Sequence, residues 1–241
     1  MNSSKYAGTE LELFAEATVW KAYLARSIQP FLGARILEVG AGVGGTTQML
    51  VPSFCDEWCC LEPDQTLGQS IEEAIRVGDL PGFCRLVIGT LQDLPNDALF
   101  NTVLYIDVLE HIADDQAELA RAAERLSNGG HLVVVSPAHQ WLFTPFDEAI
   151  GHFRRYEKCT LLKQAPPGLE LVRFAYLDSV GMLASIANRF LLHSAMPRRG
   201  QIAFWDKVLV RLSRVFDPLT RYSVGKSVLA VWRKTGRDSS Q

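Results

Sequence analysis

The stretch Arg35-Ile-Leu-Glu-Val-Gly-Ala-Gly-Val-Gly-Gly-Thr-Thr47 indicates the fold of the chain. It begins with residues that favour β-structure and passes directly into a glycine-rich run, after which residues from Thr46 onward are compatible with a helix. This order predicts a strand, a tight turn and a helix. Glycines leave the backbone N–H groups at the helix N-terminus open to a ligand, so the turn is a candidate binding site.

The spacing of Gly40, Gly42 and Gly45 meets the G-x-G-x-x-G pattern of dinucleotide-binding folds. Glu38 lies two residues before the first glycine, and with it the stretch resembles the E-x-G-x-G-x-G motif of class I S-adenosylmethionine (SAM) dependent methyltransferases. The resemblance implies that Glu38, Gly40, Ala41 and Gly42 bind SAM. The alternative is an ordinary glycine turn of some other α/β protein.

The chain has 241 residues, of which 48% are hydrophobic and 21% charged, as expected for one globular α/β domain. A net charge of −3 argues against a dedicated nucleic-acid-binding protein. The charge is unevenly distributed, because the part from Arg189 onward holds 11 Lys and Arg against 3 Asp and Glu. An acidic body therefore carries a basic C-terminal quarter.

The five cysteines form no C-x-x-C pair, so we expect reduced thiols, no metal site and a cytoplasmic location. The most apolar segment, 174–196, is interrupted by Asp178 and Arg189 and is not expected to cross a bilayer.

Alternating strand and helix patterns predict a Rossmann-like α/β fold with a mostly parallel seven-stranded sheet. The last strand is expected to lie antiparallel beside the fifth, and Ser127-Asn-Gly-Gly130 is expected to end the preceding helix through a left-handed glycine. We expect strands at 35–39, 57–62, 83–88, 99–106, 131–136, 169–175 and 225–234. The single domain, 1–241, divides into an N-terminal helical lid (1–30, with a helix over 10–29), a SAM-binding core (31–136), an acceptor loop (137–160), a helical insertion (176–224) and the last strand (225–234).

Glu62 follows Gly42 by 20 residues, where nucleotide-binding α/β folds place a carboxylate that accepts hydrogen bonds from ribose hydroxyls. Dehydrogenases share this feature, and a solvent-facing acid is the alternative. In addition, the resemblance to the methyltransferases implies a wider cofactor pocket. It assigns Asp93 as acceptor for the adenine amine and gives the pocket walls as Tyr6, Trp20, Pro63 and Leu91.

The run Asp107-Val-Leu-Glu-His-Ile112 is similar to a hallmark of small-molecule methyltransferases. It implies that Asp107, Val108 and His111 line the cofactor pocket, although His111 is also a candidate base. The Asn/Asp-Pro-Pro-aromatic run of enzymes that methylate amino groups of bases or glutamine is absent from this position.

The segment from Pro137 to Tyr156 is dense in aromatic, His and Arg residues. It resembles a bacterial methyltransferase subgroup with a G-H-(F/Y)-R-R-Y signature, often linked to glycosyltransferases or natural-product pathways. The catalytic candidates are His152, His139, Arg154 and Tyr156, because histidine exchanges protons near neutral pH and arginine binds anions. The substrate-binding candidates are Trp141, Phe143 and Arg155. The structural alternatives are histidines bonded to carbonyls and arginines paired with Asp147 and Glu148.

On a helical wheel, one face of segment 201–216 groups Ile202, Trp205, Leu209, Leu212 and Phe216, and the other groups Lys207, Arg211 and Arg214. A basic amphipathic helix of this kind can contact an anionic membrane surface or a lipid-linked substrate. Docking on its own domain is the alternative.

Together these features predict a SAM-dependent methyltransferase for a small-molecule, saccharide or lipid-linked acceptor that is anionic or aromatic. Three other functions stay open: a SAM-binding enzyme of non-methyl chemistry, an NAD-dependent oxidoreductase, and a membrane-associated scaffold without activity.

Overall fold

The structure is a computed structural model that describes residues 16–187, 189 and 199–236. Seven strands form one sheet in the order β3-β2-β1-β4-β5-β7-β6. The strands are β1 (Arg35–Val39), β2 (Glu57–Glu62), β3 (Cys84–Ile88), β4 (Phe100–Ile106), β5 (Leu126–Pro137), β6 (Leu169–Leu177) and β7 (Ser227–Lys234).

Strands β1 to β5 pair in parallel, whereas β7 is antiparallel to both β5 and β6. The predicted Rossmann-like α/β fold and the antiparallel last strand beside the fifth are therefore confirmed. Because β1 and β4 are neighbours although β2 and β3 come between them in the chain, the strand order reverses at this pair. Ligands of open α/β sheets bind beyond the carboxyl ends of the strands at such a point.

Helices flank the sheet on both faces. They are α1 (Thr18–Ile28), α2 (Thr47–Leu50), α3 (Gln65–Val77), α4 (Asp115–Glu124), α5 (Pro145–Ala149), α6 (Lys158–Lys163), α7 (Ser179–Ala187), α8 (Arg199–Phe204) and α9 (Val210–Leu219). Strand residues are buried on both sides of the sheet, in two separate apolar clusters that the helices complete. This double burial explains the continuous apolar runs of the parallel strands.

Two predicted boundaries need correction, the helix end at 127–130 and the start of the fifth strand, which lies at Leu126 and not at residue 131. Helix α4 ends at Glu124, with Arg125 in right-handed conformation, so Gly129 does not cap it. Gly129 has φ +78° but lies inside β5, where the register against β4 shifts between Phe100 and Thr102. Gly129 therefore permits an irregularity within β5 and does not end a helix. Of the predicted N-terminal helix, residues 10–15 lie outside the described residues.

The segment between β6 and β7 leaves and re-enters the sheet at the carboxyl edge of the parallel strands, since Leu177 pairs with Ser227 and Ser227 with Pro137. Helix α8, a π-helical turn (Trp205–Leu209) and α9 follow one another directly. We call this continuous element, Arg199–Leu219, the C-terminal helix. Among the described residues, no helix is long and apolar enough to cross a membrane.

Buried acids attach the C-terminal helix to the rest of the domain. Asp206 accepts hydrogen bonds from the backbone N–H groups of Val19 and Trp20 at the start of α1, at 3.2 and 2.7 Å. Asp217 accepts from the Tyr23 hydroxyl at 2.7 Å and from two N–H groups at the start of α7. The inner face of the helix is thus partly polar.

This arrangement corrects the helical wheel drawn from sequence. Ile202 and Trp205 are buried, but Leu212 and Phe216, predicted on the same face, are exposed. The π-helical turn adds a residue to one turn and rotates everything beyond it relative to an ideal α-helix.

Candidate active site

The glycine turn after β1 lies at the carboxyl edge of the sheet. Gly40 has φ +70°, and a Cβ there would lie 2.6 Å from the Val108 side chain, so only glycine fits. Gly42 has φ +58°, but a Cβ there would meet nothing within 4 Å. Gly42 thus faces open space, as a residue that lets a ligand approach the backbone should.

Glu38 lies beneath this turn and is 2% exposed. Its carboxylate accepts hydrogen bonds from the Thr47 hydroxyl at 2.5 Å and from Trp58 Nε1 at 2.9 Å. Burial raises the pKa of Glu38 to about 7 despite these bonds. The carboxylate therefore holds the start of α2 against the sheet, and direct contact of Glu38 with a cofactor stays a prediction.

Glu62, at the end of β2, is brought together with the glycine turn as predicted. Its Oε2 accepts from Gly42 N at 2.7 Å, and its Oε1 accepts from Asp64 N at 3.0 Å. Each carboxylate oxygen has two lone pairs, so both can still accept a hydroxyl. The following Pro63 is exposed.

The loop after β3 holds the two residues predicted beside the adenine. Leu91 is buried, and the Asp93 carboxylate caps its own turn by accepting from Thr90 N at 2.7 Å and the Thr90 hydroxyl at 2.9 Å. These backbone and side-chain bonds lower the pKa of Asp93. The structure thus gives Asp93 a local structural role, and its bond to adenine stays a prediction.

At the end of β4, Asp107 has φ +53°, an uncommon conformation for a non-glycine residue and one that is common at functional sites. Its side chain is accessible to water, yet the surrounding protein raises its pKa to about 6, against the opposing effects of His152 and Lys226. Asp107 thus presents an acid to solvent at the carboxyl edge of the sheet, a region that we call the cleft.

Beyond Asp107, a 3₁₀ turn (Leu109–His111) brings two further groups to the cleft wall. The His111 ring packs edge-on against His152, with centroids 4.6 Å apart, and burial lowers the pKa of His111 to about 4. A pKa this low means a neutral imidazole near pH 7. This suits His111 as a pocket wall better than as a base.

Glu110, in the same turn, is fully buried and was not singled out by sequence. Its Oε2 accepts from the Ser136 hydroxyl at 2.9 Å, while its Oε1 has no hydrogen-bond partner among the described residues and lies 3.8 Å from His152 Nε2. Burial raises the pKa of Glu110 well above its usual value. The tertiary structure brings Glu110 close to His152, and no sequence pattern predicts this contact.

The acceptor loop is organised around Asp147, which is 1% exposed. The carboxylate contacts His152 Nδ1 at 3.0 Å and receives both Nε and Nη2 of Arg155, at 2.7 and 2.9 Å. Burial works against its ionisation, but the hydrogen bonds from His152 and Arg155 hold the pKa of Asp147 well below the usual range. An ionised Asp147 only accepts, so His152 Nδ1 donates to it, and the lone pair of a neutral imidazole would then lie on Nε2, which faces Glu110.

Glu110, His111 and His152 bring potential ligand atoms within 4.8 Å of one another. Two imidazoles and a carboxylate suit a divalent transition metal. The raised pKa of Glu110 favours its neutral form, however, and a neutral carboxyl binds cations poorly.

Arg154 and Tyr156 meet at a second buried acid, Asp115. Arg154 Nη1 lies 2.7 Å from Asp115 Oδ2, and the Tyr156 hydroxyl donates to the same oxygen at 2.7 Å. Tyr156 is 1% exposed, and its position fits bracing of the loop rather than contact with an acceptor. Both arginines are thus paired with carboxylates, although Arg154 pairs with Asp115 and not with the nearer acids considered from sequence.

His139 lies apart from His152. Its Nε2 bonds the Gly225 carbonyl at 3.0 Å, and its ring stacks on Tyr176 with centroids 5.0 Å apart. This is the structural alternative considered from sequence. Trp141 is exposed and Phe143 is half-buried, so both stay available to a substrate.

In α1, Trp20 is buried against Trp205 and Tyr23, with ring centroids about 6 Å apart. It packs in the interface between α1 and the C-terminal helix. Tyr6 lies outside the described residues. The sequence did not indicate a role for Lys226. Its Nζ lies 3.7 Å from the centroid of the Trp205 ring and 3.6 Å from Asp178 Oδ2.

A cavity of about 360 Å³ lies at the other edge of the sheet, lined by 30–34, Asn101 and 128–131, and it contains none of the predicted site residues. The predicted site residues of the glycine turn, Glu62 and Asp107 therefore lie at the opposite edge of the sheet from this cavity.

The comparisons with known proteins concern the family and the fold. A family model described as a methyltransferase domain matches residues 13–176. No curated protein matches the chain.

Several solved structures share the fold at low sequence identity. A geranyl diphosphate methyltransferase in complex with SAM is 14% identical, with a TM-score of 0.66 over 97% of this chain and 93% of that chain. The [4+2]-cyclase SpnF is 17% identical, with a TM-score of 0.61 over 89% and 80%. The N-methyltransferase NodS from Bradyrhizobium japonicum WM9 is 14% identical, with a TM-score of 0.56 over 93% and 98%. On the family match, the chain belongs to the methyltransferase-domain family, which uses SAM.

Proposed function

We propose that this protein transfers a methyl group from SAM to a hydroxyl of a small-molecule acceptor, with His152 as the base. One observation carries the proposal: the Asp147–His152 pair packs against His111, four residues beyond Asp107 at the end of β4. A proton acceptor thus adjoins the cleft that would hold the methyl donor.

The residues present fit SAM. Gly42 offers backbone beside open space, the Glu62 carboxylate has lone pairs for two ribose hydroxyls, and Asp107 places an acid at the strand end. These three residues would hold the cofactor, with Val108 and His111 as walls. When bound, SAM supplies a methyl group on a sulfonium, already activated for displacement.

His152 would take the proton of the acceptor hydroxyl. Ionised Asp147 fixes the ring orientation and stabilises the imidazolium that forms. Glu110 Oε1 and His152 Nε2 are 3.8 Å apart, and Glu110 is fully buried. Glu110 is therefore proposed to act on the position of the His152 ring and not to contact the acceptor.

The acceptor is proposed to have an apolar or ring-bearing part. Trp141 and Phe153 are exposed in the loop, with 42% and 56% of their surface accessible. Arg154 and Arg155 are already paired with Asp115 and Asp147, so they support an anionic acceptor less than the sequence suggested.

Calorimetric titration of SAM and S-adenosylhomocysteine tests the cofactor site. We expect saturable binding by the wild type and a loss of at least tenfold in affinity for Glu62→Gln. Glu72→Gln, an exposed acid of α3, is the matched control and should bind as the wild type does. Wild-type affinity in Glu62→Gln, or no binding of either ligand, would overturn the proposal.

A second candidate is a SAM-binding enzyme that carries out non-methyl chemistry. The cyclase among the structural neighbours has this fold, and none of the cofactor contacts distinguishes the two functions. Transfer of label from methyl-labelled SAM to an acceptor in an extract of small molecules and lipids separates them. Binding of SAM without any label transfer would favour the second candidate.

A further inference from the structure

The outer surface of the C-terminal helix carries an unusual set of exposed apolar side chains. They recur at intervals of three or four residues and therefore lie along one side of the helix. We call this set the outer stripe: Phe204, Val208, Leu212, Val215, Phe216 and Leu219. Their exposed fractions run from 41% to 73%.

The opposite side of the helix explains why the stripe faces outward. Asp206, Ser213 and Asp217 are buried. The two acids accept hydrogen bonds from α1 and Ser213 donates one to Asp178, so these polar side chains point inward. Turning the helix to bury the stripe would break these bonds and leave buried donors unpaired. The hydrogen bonds that attach the helix to the domain therefore keep the outer stripe exposed.

Cations border the stripe. Lys207 and Arg211 are exposed, Arg214 is half-buried, and none of the three forms an ion pair with a described residue. The two acids of the helix, Asp206 and Asp217, are both buried. The exposed side of the helix thus presents apolar groups and positive charge without negative charge.

We propose that the outer stripe is a docking surface for an anionic lipid bilayer. Apolar side chains beside cations, and without acids, are complementary to acyl chains under anionic headgroups. In a symmetric contact, the same stripe of a second copy would cover the apolar groups but add three more cations and no anion. The charge therefore favours a lipid surface over self-association.

Because of the position of the helix, docking through the outer stripe would affect where the protein finds its acceptor. The segment that carries it leaves and re-enters the sheet at the carboxyl edge, the edge that also holds the glycine turn and Asp107. A protein docked through the outer stripe would work close to the bilayer, with access to an acceptor that resides in it. This consequence rests on the proposed function, whereas the docking does not.

Co-sedimentation of the full chain with vesicles tests the docking. We expect binding to vesicles of phosphatidylglycerol and phosphatidylcholine, and much weaker binding to phosphatidylcholine alone. The double variant Val215→Glu/Leu219→Glu should lose binding, whereas Val77→Glu, an equally exposed valine on α3, should bind as the wild type does. Replacing Lys207 and Arg211 by Gln should weaken binding about fivefold for each charge.

Circular dichroism checks that the variants are folded, which we expect because all the substituted side chains are exposed. Failure of the wild type to bind anionic vesicles, or wild-type binding by Val215→Glu/Leu219→Glu, would overturn the docking and leave the methyltransferase proposal untouched. A dimer in light scattering that the same double variant dissociates would also overturn it, by assigning the stripe to a second copy.

Discussion

His152 lies between two acids whose pKa values are shifted in opposite directions by burial and hydrogen bonding. The pKa of Asp147 is held well below its usual value and that of Glu110 is raised well above it. Asp147 is therefore held as an anion, whereas the neutral form of Glu110 is favoured. The imidazole is therefore oriented from one side and left open to proton transfer on the other.

Replacing His152 by Ala should lower kcat for methyl transfer by roughly 10²–10⁴-fold, the usual contribution of a general base. SAM affinity should be unchanged, because the base contacts the acceptor and not the cofactor. His139→Ala is the control, since that ring is bonded to Gly225. Wild-type kcat in His152→Ala would show that proximity alone suffices.

Glu38 should make the folded state sensitive to pH. Its pKa is raised from 4.5 to about 7, so its contribution to stability is fully present below pH 4.5 and is lost as pH rises through 7. The corresponding loss is up to about 3 kcal/mol. Glu38→Gln has no ionisable group at this position and does not lose this stability. Its melting temperature should therefore rise relative to that of the wild type between pH 5 and pH 8. Parallel curves for the two proteins would contradict the buried, protonated state.

At the scale of elements, the glycine turn combines two different requirements. Gly40 is needed because Val108 occupies the space of its Cβ, while Gly42 needs only its left-handed φ within the protein. The first is a packing constraint between β1 and the turn after β4. The second leaves room for a ligand.

Gly42→Ala should lower the free energy of unfolding by about 1–2 kcal/mol, from backbone strain alone. Gly40→Ala adds a close contact with Val108 and should cost more. In contrast, calorimetry should show Gly42→Ala losing SAM affinity while it remains folded. Equal destabilisation by both substitutions in urea denaturation would show that the two positions do not differ as described.

The buried polar side chains of the C-terminal helix hold neighbouring helices together. Asp217 accepts from the Tyr23 hydroxyl and from two backbone N–H groups at the start of α7. Asp217→Ala should therefore lower the free energy of unfolding by about 3 kcal/mol or more, because it leaves three buried donors unpaired. Tyr23→Phe removes one of these bonds and should cost about 1 kcal/mol. Denaturation curves of similar midpoint for both would contradict this role of Asp217.

At the scale of the molecule, the two ends of the described chain stabilise each other. Helix α1 is capped by Asp206 and packs through Trp20 on Trp205, while the cleft opens at the edge of the sheet to which both attach. Cofactor binding to the folded state should therefore stabilise the whole domain.

SAM at 100 times its dissociation constant should stabilise the folded state by about 2.7 kcal/mol. For a domain of this size that raises Tm by about 5–10 °C. NAD should leave Tm unchanged, and it serves as the control against the oxidoreductase alternative. A shift with NAD and none with SAM, measured by scanning calorimetry, would reverse the cofactor assignment.

The sequence by itself determined the sheet, the glycine turn and the placing of Glu62 beside Gly42. These features depend on local periodicity and on fixed spacing along neighbouring strands, which a single chain displays directly. Only the tertiary structure decided the pairing of Glu110 and Asp147 with His152, the capture of Arg154 by Asp115, and which face of the C-terminal helix is exposed. Each depends on contacts between residues distant in sequence, or on a π-helical turn that shifts the helical register, and neither leaves a periodic signal.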